Sequence, residues 1–182
     1  MKTVTLLRHA KSDWSDSVSR DFDRPLNGRG KRAARLMGDW ARHERLSFDT
    51  IIASPAVRVT ETIDLFLESY GTILDTRWDR RIYLASSVTL LDVLRELPDD
   101  FESTLMVGHN PGLQDLILDT VPEDGSDRLR EAVDAKYPTA SVAILYFDTD
   151  EWSKLGKPAR LIAFVRPRDL DPALGPDTRQ GH

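Results

Sequence analysis

The chain opens on an apolar run, Thr3 to Arg8, that predicts a first strand. Ala33, Met37, Trp40 and Ala41 then recur at helical spacing, which predicts a helix from Asn27 to His43. Asp49 to Ala53 reads as a short apolar strand, and Ala56, Val59, Ile63, Phe66, Leu67 and Tyr70 trace an amphipathic helix after it. Residues 73–77 suggest a brief strand, and Leu90, Leu91, Leu94 and Leu97 mark a helix that Pro98 closes. Thr104 to Val107 predicts a buried strand, followed by a helix carrying Leu113, Leu116 and Ile117. Ser141–Phe147 and Leu161–Val165 predict two late strands, antiparallel neighbours across the turn region 148–158. The segment after Arg168, with Pro172, Gly175 and Pro176, carries little core material. The expectation is one domain over 1–168 and a flexible tail over 169–182, with no repeat and no second domain.

Alternating strands and helices predict an α/β fold: a three-layer sandwich whose central sheet is mainly parallel, with helices on both faces. Such sheets bind ligands beyond the carboxyl ends of their strands. The first strand is followed by Arg8-His9-Ala10-Lys11-Ser12, the second by Ser54-Pro55-Ala56-Val57-Arg58, and the Thr104 strand by Gly108-His109-Asn110-Pro111-Gly112. Ser54-Pro55 and Asn110-Pro111 each read as a helix cap followed by proline at the first helical position. Two helix N-termini, which favour anions, are thereby expected at the same rim as His9. Two histidines and two arginines from remote parts of the chain converge there.

Composition narrows the chemistry. At 182 residues, 40% hydrophobic and 30% charged, the chain suits one globular domain with a substantial core. It has no cysteine, which excludes disulfides, thiolate catalysis and cysteine-ligated zinc. A formal net charge of −5 argues against nucleic-acid or anionic-membrane partners, while leaving room for a local basic pocket. No apolar run reaches the ~18 residues of a membrane span. The start is too short in apolar residues for a signal peptide, so a cytoplasmic location is expected. His9, His109 and nearby carboxylates lack a two-histidine helical motif, so neither metal nor cofactor is expected. His43 suits the last turn of its helix, and His182 falls in the tail.

The converging residues suit phosphoryl chemistry, in which catalysis is mostly positioning and charge stabilisation. Guanidinium groups such as Arg8 and Arg58 fork onto phosphate oxygens and stay charged. A neutral imidazole, His9, can attack phosphorus and form a phosphohistidine that water then hydrolyses, with its other ring nitrogen donating to a fixed acceptor. His109 would donate to a phosphoryl oxygen or to the leaving atom. Plainer readings exist for each residue alone. Arg58 can be a solvated helix charge paired with Glu61, and Lys11 and Ser12 can be ordinary loop polars.

Leu7-Arg8-His9-Ala10-Lys11-Ser12-Asp13-Trp14 resembles the signature of the histidine phosphatase superfamily, with its phosphoglycerate-mutase-like fold. The segments Asp23–Gly30, Ser54–Arg58 and Val107–Gly112 resemble the SixA-type branch, the bacterial phosphohistidine phosphatases. The ordered set spans nearly the whole chain to about Asp169. The resemblance implies that His9 is the nucleophile and that Arg8, Arg58 and His109 complete the phosphate pocket. Ser15 falls where mutase-type relatives carry a phosphate-contacting asparagine, and Asn110 is taken as a further phosphate contact. Asp79-Arg80-Arg81-Ile82-Tyr83 departs from the family, which often has a proton-donating glutamate where Arg80 stands.

Arginine, with a pKa above ~12, donates no proton at neutral pH. An imidazole leaving group needs a proton less than an alkoxide does, so the substitution points to a phosphohistidine protein substrate. The lack of a long lid-forming insertion fits a protein side chain entering the pocket. A small phosphorylated molecule is the alternative substrate, with Asp79, Asp21 or Asp23 as acid, and a phosphate-binding relative without turnover is the third reading.

Overall fold

Strand β1 (Lys2–Arg8) runs through the interior of a six-stranded sheet ordered β3-β2-β4-β1-β5-β6. Its companions are β2 (Thr50–Ala53), β3 (Thr76–Trp78), β4 (Ser103–Gly108), β5 (Val142–Phe147) and β6 (Ala159–Val165). The computed structural model describes residues 1–15 and 20–176. Pairings β3–β2, β2–β4 and β4–β1 are parallel, whereas β1–β5 and β5–β6 are antiparallel. The sheet is therefore mainly parallel, and the late strands form the expected antiparallel pair.

Alternation along the strands separates two cores. Leu7, Ile51, Ala53, Leu105 and Val107 face helices α1 (Gly28–His43) and α2 (Val57–Tyr70), meeting Ala34, Met37, Val59, Ile63 and Phe66. Val4, Leu6, Ile52 and Met106 face the opposite layer, α3 (Ser87–Arg95), α4 (Gly112–Thr120) and α5 (Arg128–Ala135), through Leu90, Leu94, Leu113, Leu116 and Val133. This is the three-layer α/β sandwich that the apolar pattern predicted. Helix α1 begins where expected because the Asn27 side chain accepts the Gly30 N–H at 2.8 Å. A Cβ at Gly30 would lie 2.1 Å from the Lys11 carbonyl oxygen, so only glycine lets α1 start against the loop after β1.

Two local expectations change. Helix α2 starts at Val57 and α4 at Gly112, so Pro55 and Pro111 precede the helices instead of occupying their first turns. The Ser54 hydroxyl still accepts the Ala56 N–H at 3.3 Å, closing a turn ahead of α2. Helix α5 escaped the pattern because Val133 is its one buried residue. Beyond β6, α6 (Pro167–Leu170) and a 3-10 turn over Pro172–Leu174 lie near α1, and Arg29 donates to the Gly175 carbonyl. Residues 177–182, including His182, lie outside the described residues. No helix among the described residues is long and apolar enough to cross a membrane.

Register explains the convergence at the rim. Arg8 pairs with Gly108, and Ala53 with Val107. The His9 N–H donates to the Gly108 carbonyl at 3.0 Å, and the Ser54 N–H to the Val107 carbonyl at 3.2 Å. His9, Ser54 and His109 thus leave the sheet side by side.

Candidate active site

Above that rim opens a cleft of about 530 Å³ whose lining includes Arg8, His9, Asp21, Arg24 and Arg58. The His9 Nδ1 lies 2.7 Å from the Ala10 carbonyl oxygen, which can only accept, so Nδ1 carries the ring hydrogen. The other nitrogen, Nε2, keeps its lone pair and makes no hydrogen bond among the described residues. Burial, reinforced by the charges of Arg8 and Arg58 against the opposing Ala10 bond, lowers the pKa of His9 to about 4. The ring is neutral at physiological pH.

The same logic assigns His109. Arg58 Nη2 lies 3.3 Å from His109 Nδ1, and a guanidinium only donates, so Nδ1 accepts. The hydrogen therefore sits on Nε2, which donates to Ser54 Oγ at 2.8 Å. Burial first, then the proximity of His9 and Arg58, lowers the pKa of His109 to about 3. The two imidazoles stand 5.4 Å apart, centre to centre, with His109 at 3% exposure beneath the cleft wall.

Arg58 is almost fully buried and anchored by Asp21. Its Nη1 donates to the Asp21 carbonyl at 2.7 Å and its Nη2 to the Asp21 carboxylate at 3.1 Å. That carboxylate also accepts from Arg24 at 2.9 Å and from the Tyr83 hydroxyl at 2.5 Å. These donors hold Asp21 well below the usual carboxylate range, Tyr83 contributing most. Arg8 donates to the Tyr137 carbonyl at 2.9 Å, but its buried Nε has no partner. An anion in the cleft would satisfy that donor, whose loss of water costs about 1–3 kcal/mol when unpaired.

Thr62, four residues after Arg58 on α2, ties the loop after His9 to the arginine helix. Its hydroxyl accepts the Ala10 N–H at 3.0 Å and donates to the Arg58 carbonyl at 2.6 Å. Ala10 is the residue whose carbonyl fixes His9. Thr62→Val keeps the shape and deletes both bonds, so stability is expected to fall by about 1–3 kcal/mol. The loosened Ala10 peptide is also expected to lower kcat by about 10- to 100-fold with little change in KM, and Thr62→Ser to restore it. Denaturant unfolding alongside steady-state kinetics checks this. An unchanged kcat despite lost stability would make Thr62 a packing residue only.

The structure brings Arg8, His9 and Arg58 to the cleft lining, with His109 buried behind them against His9 and Arg58, and it leaves other sequence candidates outside the cleft. Ser15 is exposed, and its N–H bonds to the Asp13 side chain. The amide of Asn110 donates to the Tyr137 carbonyl and to Gln114, and its oxygen accepts the Gln114 N–H. Asn110 therefore secures the start of α4, and it is not among the residues that line the cleft. Arg80 sits exposed on a 3-10 turn, away from the cleft lining. Of the alternative acids, Asp79 is held as a carboxylate mainly by Arg81, Asp21 by its own donors, and Asp23 pairs with Arg20 at 2.9 Å. Sequence reasoning missed Thr62, Ser54 and Tyr83 as site residues. A threonine on the buried face of α2, one turn from Arg58, was the available signal for the first. Among the described residues no group of three or more His, Cys, Asp or Glu side chains is placed to hold a metal ion.

A buried neutral imidazole pair flanked by two arginines at the carboxyl edge of a mainly parallel sheet is an arrangement suited to phosphoryl transfer. Residues 4–82 match the histidine phosphatase superfamily (branch 1). A SixA protein of Agrobacterium tumefaciens is 31% identical, covers 91% of this chain and 99% of its own, and superposes with a TM-score of 0.75. A SixA protein of Nakamurella multipartitia is 27% identical over 91% of this chain and 96% of its own, with a TM-score of 0.77. An uncharacterized protein of Mycobacterium tuberculosis is 33% identical over 140 residues, 76% of this chain and 85% of its own. The chain belongs to the histidine phosphatase superfamily, and it is a phosphatase.

Proposed function

We propose that the protein hydrolyses phosphohistidine on a protein substrate in the cytoplasm, through a covalent phosphohistidine at His9. His9 Nε2 attacks phosphorus, the P–N bond to the substrate imidazole breaks, and its electron pair stays with the departing ring. When that ring already carries a proton on its other nitrogen, it leaves as neutral imidazole. Arg8 and Arg58 take the charge of the equatorial oxygens. His109 has its Nε2 hydrogen engaged by Ser54 and its Nδ1 lone pair by Arg58, so it acts by positioning the Arg58 guanidinium and not by donating to the phosphoryl group. Water then attacks phospho-His9, releasing orthophosphate and the neutral ring. No metal or cofactor enters this scheme, and the partner is a phosphorylated protein.

The observation that carries the substrate choice is that, among the described residues, the candidate acids Asp21 and Asp79 are both held as carboxylates. Arg80 is exposed and is not among the residues that line the cleft, and Asp21 and Asp79 are both held ionised by cationic or hydroxyl donors. The names of the Agrobacterium and Nakamurella relatives, SixA phosphohistidine phosphatases, agree with this reading. Imidazole, with a conjugate-acid pKa near ~6.5, departs without help that an alkoxide requires. We expect kcat/KM to fall in the order phosphohistidine protein, aryl phosphate, alkyl phosphate, with the outer pair at least about 100-fold apart. Arg80→Glu is expected to raise alkyl phosphate turnover only if the new carboxyl reaches the leaving oxygen. Rapid alkyl phosphate hydrolysis by the unaltered enzyme would favour a small phosphoester substrate. Binding of phosphate without turnover of any of the three would leave a phosphate-binding protein.

A further inference from the structure

The cleft carries far more positive charge than one phosphoryl group can neutralise. Eight lysine or arginine side chains line it against one carboxylate, Asp21, on a chain whose net charge is −5. Arg8 and Arg58 flank His9, and Arg24 is engaged by Asp21, with its guanidinium 3.5 Å above the Trp14 ring. The surplus comes from four residues remote from one another in the chain. Lys11 follows the nucleophile strand, Arg29 sits on the first turn of α1, Lys136 precedes β5, and Arg168 lies on α6. None of these four makes an ion pair among the described residues, although Arg168 stands close enough to Asp169 to help hold its carboxyl down. Arg29 bonds only to the Gly175 carbonyl, and the fifth cation there, Arg166, is paired with Asp169 at 2.8 Å.

We propose that this cationic extension selects substrates whose phosphohistidine lies beside acidic side chains, so that a carboxylate-rich segment runs along Lys11, Arg29 and Arg168. The inference rests on the phosphohistidine reading and deepens it to a class of target. A dianionic phosphoryl group already finds two guanidinium groups at Arg8 and Arg58. Clustered like charges without counter-charges repel one another, and a second anion relieves that repulsion while steering the substrate inward. The occupant is a peptide segment because the extension opens to the surface: Trp14 at its mouth is 71% exposed, and Lys136 is exposed.

The test uses two histidine peptides that differ only in their flanks, three aspartates or three asparagines. Each is offered in phosphorylated form as substrate and in unphosphorylated form as inhibitor of aryl phosphate turnover. The aspartate peptide is expected to show a KM and an inhibition constant about tenfold lower than the asparagine peptide, a ratio that shrinks in 0.5 M salt. In the double variant Lys11→Gln/Arg168→Gln the ratio is expected to fall toward one, while Lys11→Arg with native Arg168 retains it. Equal constants for the two peptides, or a ratio surviving the double variant, would overturn the inference. Failure to dephosphorylate either peptide would sink the phosphohistidine reading instead, because the inhibition arm still reports the acidic preference by itself.

Discussion

His9→Ala is expected to abolish turnover, lowering kcat by a factor on the order of 10⁴ or more, while the protein still folds. The neutral ring, fixed through Nδ1 to the Ala10 carbonyl, keeps the Nε2 lone pair at the cleft, which makes His9 the proposed nucleophile. Rapid quenching of the unaltered enzyme with phosphorylated substrate should trap an acid-labile phosphoryl group on His9, and the variant should trap none. Undiminished turnover by purified His9→Ala would falsify the covalent mechanism. The same side chain predicts a pH response. With its pKa lowered to about 4, His9 stays unprotonated through mildly acidic pH, so the enzyme's acid limb should lie near 4, not near 6.5.

Stability follows from the same shift. Between pH about 6.5 and about 4, unfolded His9 and His109 bind protons that the folded rings refuse. The unfolded state then binds more protons, so stability falls as pH drops through that window. His9→Ala should flatten this slope, which urea unfolding at a series of pH values would read directly.

Arg58→Ala is expected to lower kcat/KM by about 10²–10³-fold, because a buried charge aimed at the phosphoryl oxygens is lost where water cannot replace it. Orthophosphate inhibition should weaken by roughly 10- to 150-fold, the equivalent of about 1.5–3 kcal/mol for a charge-assisted contact. Arg58→Lys should recover little, since the two-pronged contact to Asp21 and the bond to His109 Nδ1 need the guanidinium fork. The variant should also let the Asp21 carboxyl titrate closer to its ordinary range, Arg58 being one of the cations that hold it down. Phosphate inhibition and turnover both unchanged in Arg58→Ala would reduce the residue to a structural partner of Asp21.

How much of this was legible in the sequence depends on the range of the interaction concerned. Strand β1 and helices α1 and α2 show because an element that buries one face must repeat apolar residues at its own period. The carboxyl-edge rule then pointed to Arg8, His9, Arg58 and His109. Helix α5 stayed hidden because one buried valine makes no period. The proline-led helix starts were misplaced because Ser54 and Asn110 cap nothing in the expected way. Ser54 turns to His109 and Asn110 to Gln114 and Tyr137.

The sequence alone determined the α/β class, the order of the elements other than α5, and the four residues that meet at the rim. Each of these follows from local periodicity and from the rule that parallel sheets gather their loops at one edge. The tertiary structure alone decided what those residues can do. His109 has its tautomer set by Ser54, 55 residues away, and by Arg58, 51 away. Arg58 is aimed by Asp21 across 37 residues, and the loop after His9 is held by Thr62 across 52. It is also the fold that carries Arg29 and Arg168, from opposite ends of the chain, to one cleft. A hydrogen bond or a charge acts through a few ångströms of space, and periodicity along a chain reports only which face is buried.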